Sequence, residues 1–366
     1  MSDPKNTEEK APSPTGDDAS STSSHRRIRT ESKASLDSSY KYSFSAVSPK
    51  VFHAMLEYGV ESVQGARKTM EDQHKATCGR EPVTPRGDGR DSEVATGIPF
   101  FGVYDGHGGT QCAQFLREKL HHMVLSDPKV RTEPEKALHD AILKAEEEFM
   151  ELCRVEKLES GSTAAVALLI EERLVVANVG DSEIVLSRNG KAELLTTKHH
   201  LNASESEGER IRAAGGRTFH SRVGHPKFNP SLVSLAVTRA IGDAGFKLEE
   251  YTDGKASGVI AVPDTKTTVL QPGDNFFIIG CDGLWDVMSY QDAVDYCSRL
   301  LAAGATSTEI SQSIVKEALN RGSSDNVTVL IVTLQKPEFK QDSNLTPTET
   351  AATPINDQGN SDAKTE

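Results

Sequence analysis

Four short apolar runs in this chain are each bounded by an aspartate, and that pattern restricts the possible folds more tightly than anything else in the sequence. Asp105 follows Phe100–Tyr104, Asp181 follows Leu174–Val179, Asp282 follows Phe276–Gly280, and Asp325 precedes Asn326–Leu334. Further runs lie at Thr163–Ile170, Ile184–Leu186 and Leu232–Val237. Several are apolar at consecutive rather than alternate positions, as expected for strands covered on both faces. An acid at the end of such a strand would sit on the rim of a packed sheet.

Helical periods fall between these runs. Leu138, Ala141, Ile142, Ala145, Phe149, Leu152 and Cys153 recur at spacings of three and four, which predicts a helix over 134–155 with that stripe buried. Thr306-x-x-Glu309 has the form of a capping box and should open a helix burying Ile310, Ile314 and Leu319. Residues 79–98, with their prolines and glycines, read as a surface loop. Strands in runs with helices grouped between them predict an α+β layered domain over 51–336. Residues 1–50 and 337–366 are rich in Ser, Thr, Pro and charge. They hold too few apolar groups to offset the entropy of ordering, so both are expected to be disordered polar tails.

Several classes are disfavoured. The apolar runs are far shorter than the roughly 20 residues that span a bilayer, so no membrane insertion is expected. The start, Met1-Ser-Asp-Pro, lacks the basic and apolar regions of a secretory signal. The cysteines (Cys78, Cys112, Cys153, Cys281, Cys297) are scattered without a C-x-x-C pair, which argues against a disulfide framework or a zinc knuckle. Reduced thiols and absent signals predict a cytoplasmic and/or nuclear protein. A formal net charge of −13 disfavours nucleic acid as a partner. A monomer is expected.

A single Asp beside Gly is ordinarily a turn residue. Four at the ends of buried strands raise a second reading, a carboxylate cluster at one edge of the sheets. Such a cluster must either raise its pKa values or be neutralised by a cation. All-oxygen ligands favour Mg²⁺ or Mn²⁺ over Zn²⁺. Spacing alone leaves both readings open. Arg67 lies four residues before the Glu71-Asp72 pair, and a guanidinium can grip a phosphoryl group with two parallel hydrogen bonds or simply form a surface ion pair. His107, in Asp-Gly-His-Gly-Gly, has a side chain whose ordinary pKa of about 6.5 suits proton transfer, although a loop histidine is more often merely exposed.

Seven motifs occur in order: Gly65-Ala-Arg67-x-x-Met70-Glu71-Asp72, Val103-Tyr-Asp105-Gly106-His107-Gly-Gly, Ser160-Gly-Ser-Thr163-Ala, Asn178-Val-Gly180-Asp181-Ser182, Leu235-Ala-Val-Thr-Arg239-Ala-Ile-Gly242-Asp243, Cys281-Asp282-Gly283-x-Trp285-Asp286 and Ser324-Asp325-Asn326. Together they resemble the motif set of the metal-dependent (type 2C) protein serine/threonine phosphatases, over the whole of the expected domain. The resemblance implies a four-layer αββα sandwich: two mainly antiparallel sheets flanked by antiparallel helix pairs. It also implies a binuclear Mg²⁺ or Mn²⁺ centre that activates water for direct attack on phosphorus, without a phosphoenzyme. Carried over by motif, Asp105 bridges the two ions. Glu71 and the Gly106 carbonyl serve one ion, and Asp282 and Asp325 the other. Asp181 with Asp282 would hold a weaker third. Arg67 would bind the phosphate and His107 would protonate the leaving oxygen. The implied partners are phosphorylated proteins, and Cys281 is expected to be a packed core thiol.

Two departures stand out. The family commonly has Gly-Asp-Ser-Arg where this chain has Gly180-Asp181-Ser182-Glu183. It commonly has Asp-His-x-Pro downstream, where this chain has His199-His200-Leu201-Asn202. The segment 244–262 is expected to be the variable flap that shapes substrate choice.

Overall fold

The strongest apolar runs become the centres of two antiparallel sheets. The computed structural model describes residues 42–43, 55–77 and 97–335. Most of the expected loop 79–98, most of the expected tail 1–50, all of the expected tail 337–366 and Cys78 lie outside the described residues.

The first sheet has six strands in the order Tyr42–Ser43, Met55–Val63, Val327–Gln335, Asp274–Gly280, Glu183–Arg188, Lys191–Leu194. The second has five, in the order Asp264–Val269, Arg173–Val179, Ala164–Ile170, Phe100–Tyr104, Gln73–Thr77. Every neighbouring pair in both is antiparallel. Tyr42 and Ser43, inside the stretch expected to be tail, add an edge strand against Leu56 and Met55.

The period-two geometry of a strand explains why the runs are apolar throughout. In Asp274–Gly280, Phe277 and Ile279 face the second sheet, while Phe276 and Ile278 face a helix layer. In Phe100–Tyr104, Phe101 and Val103 face the first sheet, while Phe100 and Tyr104 face helices. Between the sheets Phe101 and Phe277 meet edge to face at 5.8 Å. Truncating either buried ring to Ala would cost about 3–5 kcal/mol.

Helices Gln111–Leu125 and Pro134–Glu156 cover the second sheet, and Tyr290–Ala302 and Ser307–Asn320 cover the first. The layers are therefore αββα, as the resemblance implied. The helix over 134–155 forms with Pro134 in its first turn, although Leu152, expected in its buried stripe, is 36% exposed. The capping box is complete: the Thr306 hydroxyl accepts from Glu309 N–H at 3.2 Å, and Thr306 N–H donates to Glu309 at 2.8 Å.

Leu232–Val237 departs from expectation. Only Ser234–Leu235 is strand, in a small sheet with Arg217–Phe219 and Arg222–Gly224. Leu232 at its start is 82% exposed, while Leu235 and Val237 are buried in a small separate cluster with Ile211 of helix Glu205–Ala213. Among the described residues no helix is long and apolar enough to cross a membrane.

Candidate metal and phosphate site

The four strand-end aspartates meet at one end of the sandwich. They line a cleft of about 560 Å³ together with Arg67, Glu71, Gly106 and His107, so all eight residues singled out from the sequence converge there. One carboxylate oxygen each from Asp105, Asp181 and Asp282 lies within 4.8 Å of the others.

Each motif has a visible local task. Asp105 is pinned where its strand ends: its N–H donates to Thr163 Oγ1 at 3.1 Å, and its carbonyl accepts from Thr163 N–H at 2.9 Å. That is the work of the Ser160-Gly-Ser-Thr163 segment. Gly161 lies so close to the next site residue that a Cβ there would sit 2.5 Å from His107 Nε2. Asn326 clamps the Arg67 loop to the far end of the chain. Its amide donates to the carbonyls of Gln64 (2.8 Å) and Thr69 (2.9 Å), and its Oδ1 accepts from Glu71 N–H at 2.7 Å. Gly65, at φ 62°, makes the turn that this clamp needs, and a Cβ there would run into the Asp325 carbonyl at 2.0 Å. Arg67, 61% exposed, then pairs with Asp325.

The cleft is short of positive charge. Burial, and then the carboxylates of Asp282, Asp72, Asp181 and Asp325, hold Asp105 well above the usual carboxylate range. Burial, Asp181 and Asp325 push Asp282 up to about 7. Burial raises Asp181 to about 6, against the opposing charge of Lys198. Burial alone would depress His107, but the Asp243 carboxylate, 2.9 Å from Nε2, outweighs it and the net shift is upward.

Two residues quoted within motifs but given no role prove to belong to the site. Asp72 lies beneath the cleft against Asp105 and Cys281, where burial raises it to about 6. Asp243, at φ 56°, turns to meet His107. Cys281 is a packed thiol, as expected: its Sγ donates to Asn326 O (3.4 Å) and accepts from Thr328 N–H (3.2 Å). The segment 244–262, expected to shape substrate choice, supplies none of the described residues lining this cleft. Arg222 and Ser234–Val237 line it instead.

An all-oxygen donor set with excess negative charge, three of whose carboxylate oxygens lie within 4.8 Å of one another, fits a hard divalent cation.

The chain belongs to the protein phosphatase 2C family, whose model matches residues 56–327. It is 40% identical over 239 residues to probable protein phosphatase 2C 22 of Arabidopsis thaliana, covering 64% of this chain and 59% of that protein. It is 37% identical over 291 residues to protein spalten of Dictyostelium discoideum, covering 76% of this chain but only 28% of the relative. The chain thus spans less than two thirds of the length of either. The solved serine-threonine phosphatase 2C of Toxoplasma gondii has the same fold, with a TM-score of 0.64 at 23% identity, over 81% of this chain and 99% of that one.

Proposed function

We propose that this chain is a metal-dependent protein serine/threonine phosphatase that hydrolyses phosphoserine and phosphothreonine in proteins. The observation that carries the reading is the convergence, in one cleft, of uncompensated carboxylates with a guanidinium and a carboxylate-supported imidazole.

Glu71, Asp105 and the Gly106 carbonyl would hold one Mg²⁺ or Mn²⁺, and Asp105, Asp282 and Asp325 a second. Such ions supply the Lewis acidity that activates water and offsets phosphoryl charge. The chain's own groups do the rest. Arg67, half-free on the rim, can exchange Asp325 for two phosphoryl oxygens and orient the monoester. His107, whose hold on a proton Asp243 strengthens, donates that proton to the departing serine or threonine oxygen. Thr163 and Asn326 fix the backbones that carry Asp105 and Glu71. Cytoplasmic or nuclear phosphoproteins are the partners this reading implies, with the chain acting as a monomer.

The test is phosphate release from a phosphothreonine peptide with Mn²⁺ and with excess EDTA. Turnover that EDTA abolishes and Mn²⁺ restores is expected. Undiminished turnover in EDTA overturns the reading.

A further inference from the structure

Near both sequence departures, Glu183 and the residues around His199, lies a lysine with no assigned role, Lys198. The segment bearing Lys198 is tied to the strand that ends at Asp181. His199 N–H donates to Gly180 O at 3.0 Å, and Gly180 N–H donates to His199 Nδ1 at 3.1 Å. On the other flank, the Asn178 side chain donates to Thr197 O at 2.6 Å. Lys198 is therefore fixed by both neighbours beside the Asp181 turn.

Its Nζ donates to Asp286 Oδ1 at 3.3 Å, and the side chain is only 24% exposed. Asp286 N–H donates to Asp282 O at 2.9 Å, one turn along the short helix Asp282–Trp285, so Asp286 sits beside the cleft carboxylates. Glu183 is fully buried. One of its oxygens accepts from the Tyr290 hydroxyl at 2.6 Å, and among the described residues the other has no hydrogen-bond partner. Asp286 thus contacts the ammonium, and the charges of Asp181 and Glu183 also act on it.

We propose that Lys198 Nζ is a built-in cation that fills the third cation position of this centre, at the corner formed by Asp181 and Asp286. The inference rests on the cleft being a divalent-cation centre, and it replaces the weaker third ion that resemblance alone implied. A fixed ammonium here carries the charge that a loosely held ion would bring, and the two exclude each other by repulsion and by volume. The electrostatics agree: Lys198 is the largest influence opposing the burial of Asp181, and Asp286, Asp181 and Glu183 together hold the lysine above its ordinary value despite burial.

Mn²⁺ binding, read by electron paramagnetic resonance of free ion and by calorimetry, tests this without reference to turnover. Wild type should show no site sensitive to Asp286→Asn. Lys198→Met should bind one additional Mn²⁺ per chain, and adding Asp286→Asn to it should remove that ion. Lys198→Gln, which keeps the stem length and some polarity, is a second version should the methionine variant fail to melt cooperatively. Equal ion counts in wild type and a folded Lys198 variant overturn the proposal, as does a weak wild-type site lost in Asp286→Asn. Wild type that binds no Mn²⁺ overturns it too. In that case the EDTA experiment decides independently whether the phosphatase reading survives.

Discussion

Strand Asp274–Gly280 begins at a buried acid, and a half-buried one, Asp282, lies just past its opposite end. The two are handled in opposite ways. The Asp274 carboxylate is gripped by the Arg188 fork (2.8 and 3.0 Å) and by Gln271 N–H (2.7 Å). Asp282 instead faces Asp105 and Asp181 within 4.8 Å. A third acid, the buried Glu207, sides with Asp274. Arg210, Arg239 and the Thr238 hydroxyl all donate to it, and those contacts hold it far below the usual carboxylate range in spite of burial. Burial of an acid is therefore no mark of function in this protein. The missing counter-charge is.

Within the acid-rich end, Asp243 and Asp325 do have cationic partners, His107 and Arg67, and these are the groups a phosphoryl ester would meet. His107→Gln should slow hydrolysis of a phosphoserine peptide by about 10²–10⁴-fold, and that of an activated aryl phosphate much less, because only the poor leaving group needs a proton. Arg67→Ala should weaken both substrates together, mainly in KM. Equal losses for His107→Gln on both would reject proton donation and leave His107 a structural partner of Asp243.

Asp282→Asn and Asp105→Asn should each lower turnover on the order of 10²–10³-fold. The metal-free fold should be unharmed or firmer, since each change relieves repulsion. Asp274→Asn should do the reverse, sparing turnover and costing roughly 2–3 kcal/mol in urea unfolding. That lies below the usual cost of breaking a buried pair, because Arg188 is 23% exposed. If the two ends gave the same pattern, the contrast between them would be wrong.

The smallest effect is in the pH profile. Asp72 and Asp282 titrate in the fold at about 6 and about 7, above their ordinary value of about 3.9. Acids raised in this way favour the fold below that ordinary value, and the benefit is lost as pH rises through the folded values. The melting temperature of metal-free protein should therefore fall between about pH 4 and pH 7, and Mn²⁺ should restore more at pH 7 than at pH 5. Glu207 has the opposite sign, since its contribution is lost only as pH falls below the carboxylate range. A Mn²⁺ effect independent of pH would refute the account of the acidic end.

The layers were legible because runs such as Phe276–Ile279 are apolar on both faces, which only a doubly covered strand requires. The same signal misled at Leu232–Val237, where Leu232 faces solvent and Leu235 and Val237 are buried only in a small cluster apart from the sandwich core. Composition cannot tell a covered strand from an exposed one of the same residues. The cleft acids were found through their strand-end positions and motif order. Asp72 was passed over although it adjoins Glu71, because adjacency in a loop does not say which acid of a pair is buried. Asp243 could not be placed by spacing, because its partnership with His107 spans 136 residues of sequence. Lys198 was invisible for the same reason, since nothing local links it to Asp286.

The packed thiol below the cleft bears on how the protein withstands oxidants. Peroxide attacks thiolate rather than thiol. Burial, and then the negative charges of Asp72, Asp105 and Asp282, hold Cys281 well above its ordinary value, so it stays protonated at neutral pH. Burial likewise raises Cys112, lifts Cys153 to about 11 and lifts Cys297 to about 12. The acid cluster that makes the cleft hungry for cations thus also shields its nearest sulfur from sulfenic acid formation. Millimolar peroxide should leave Cys281 unmodified in intact protein, as mass spectrometry of trapped thiols would show.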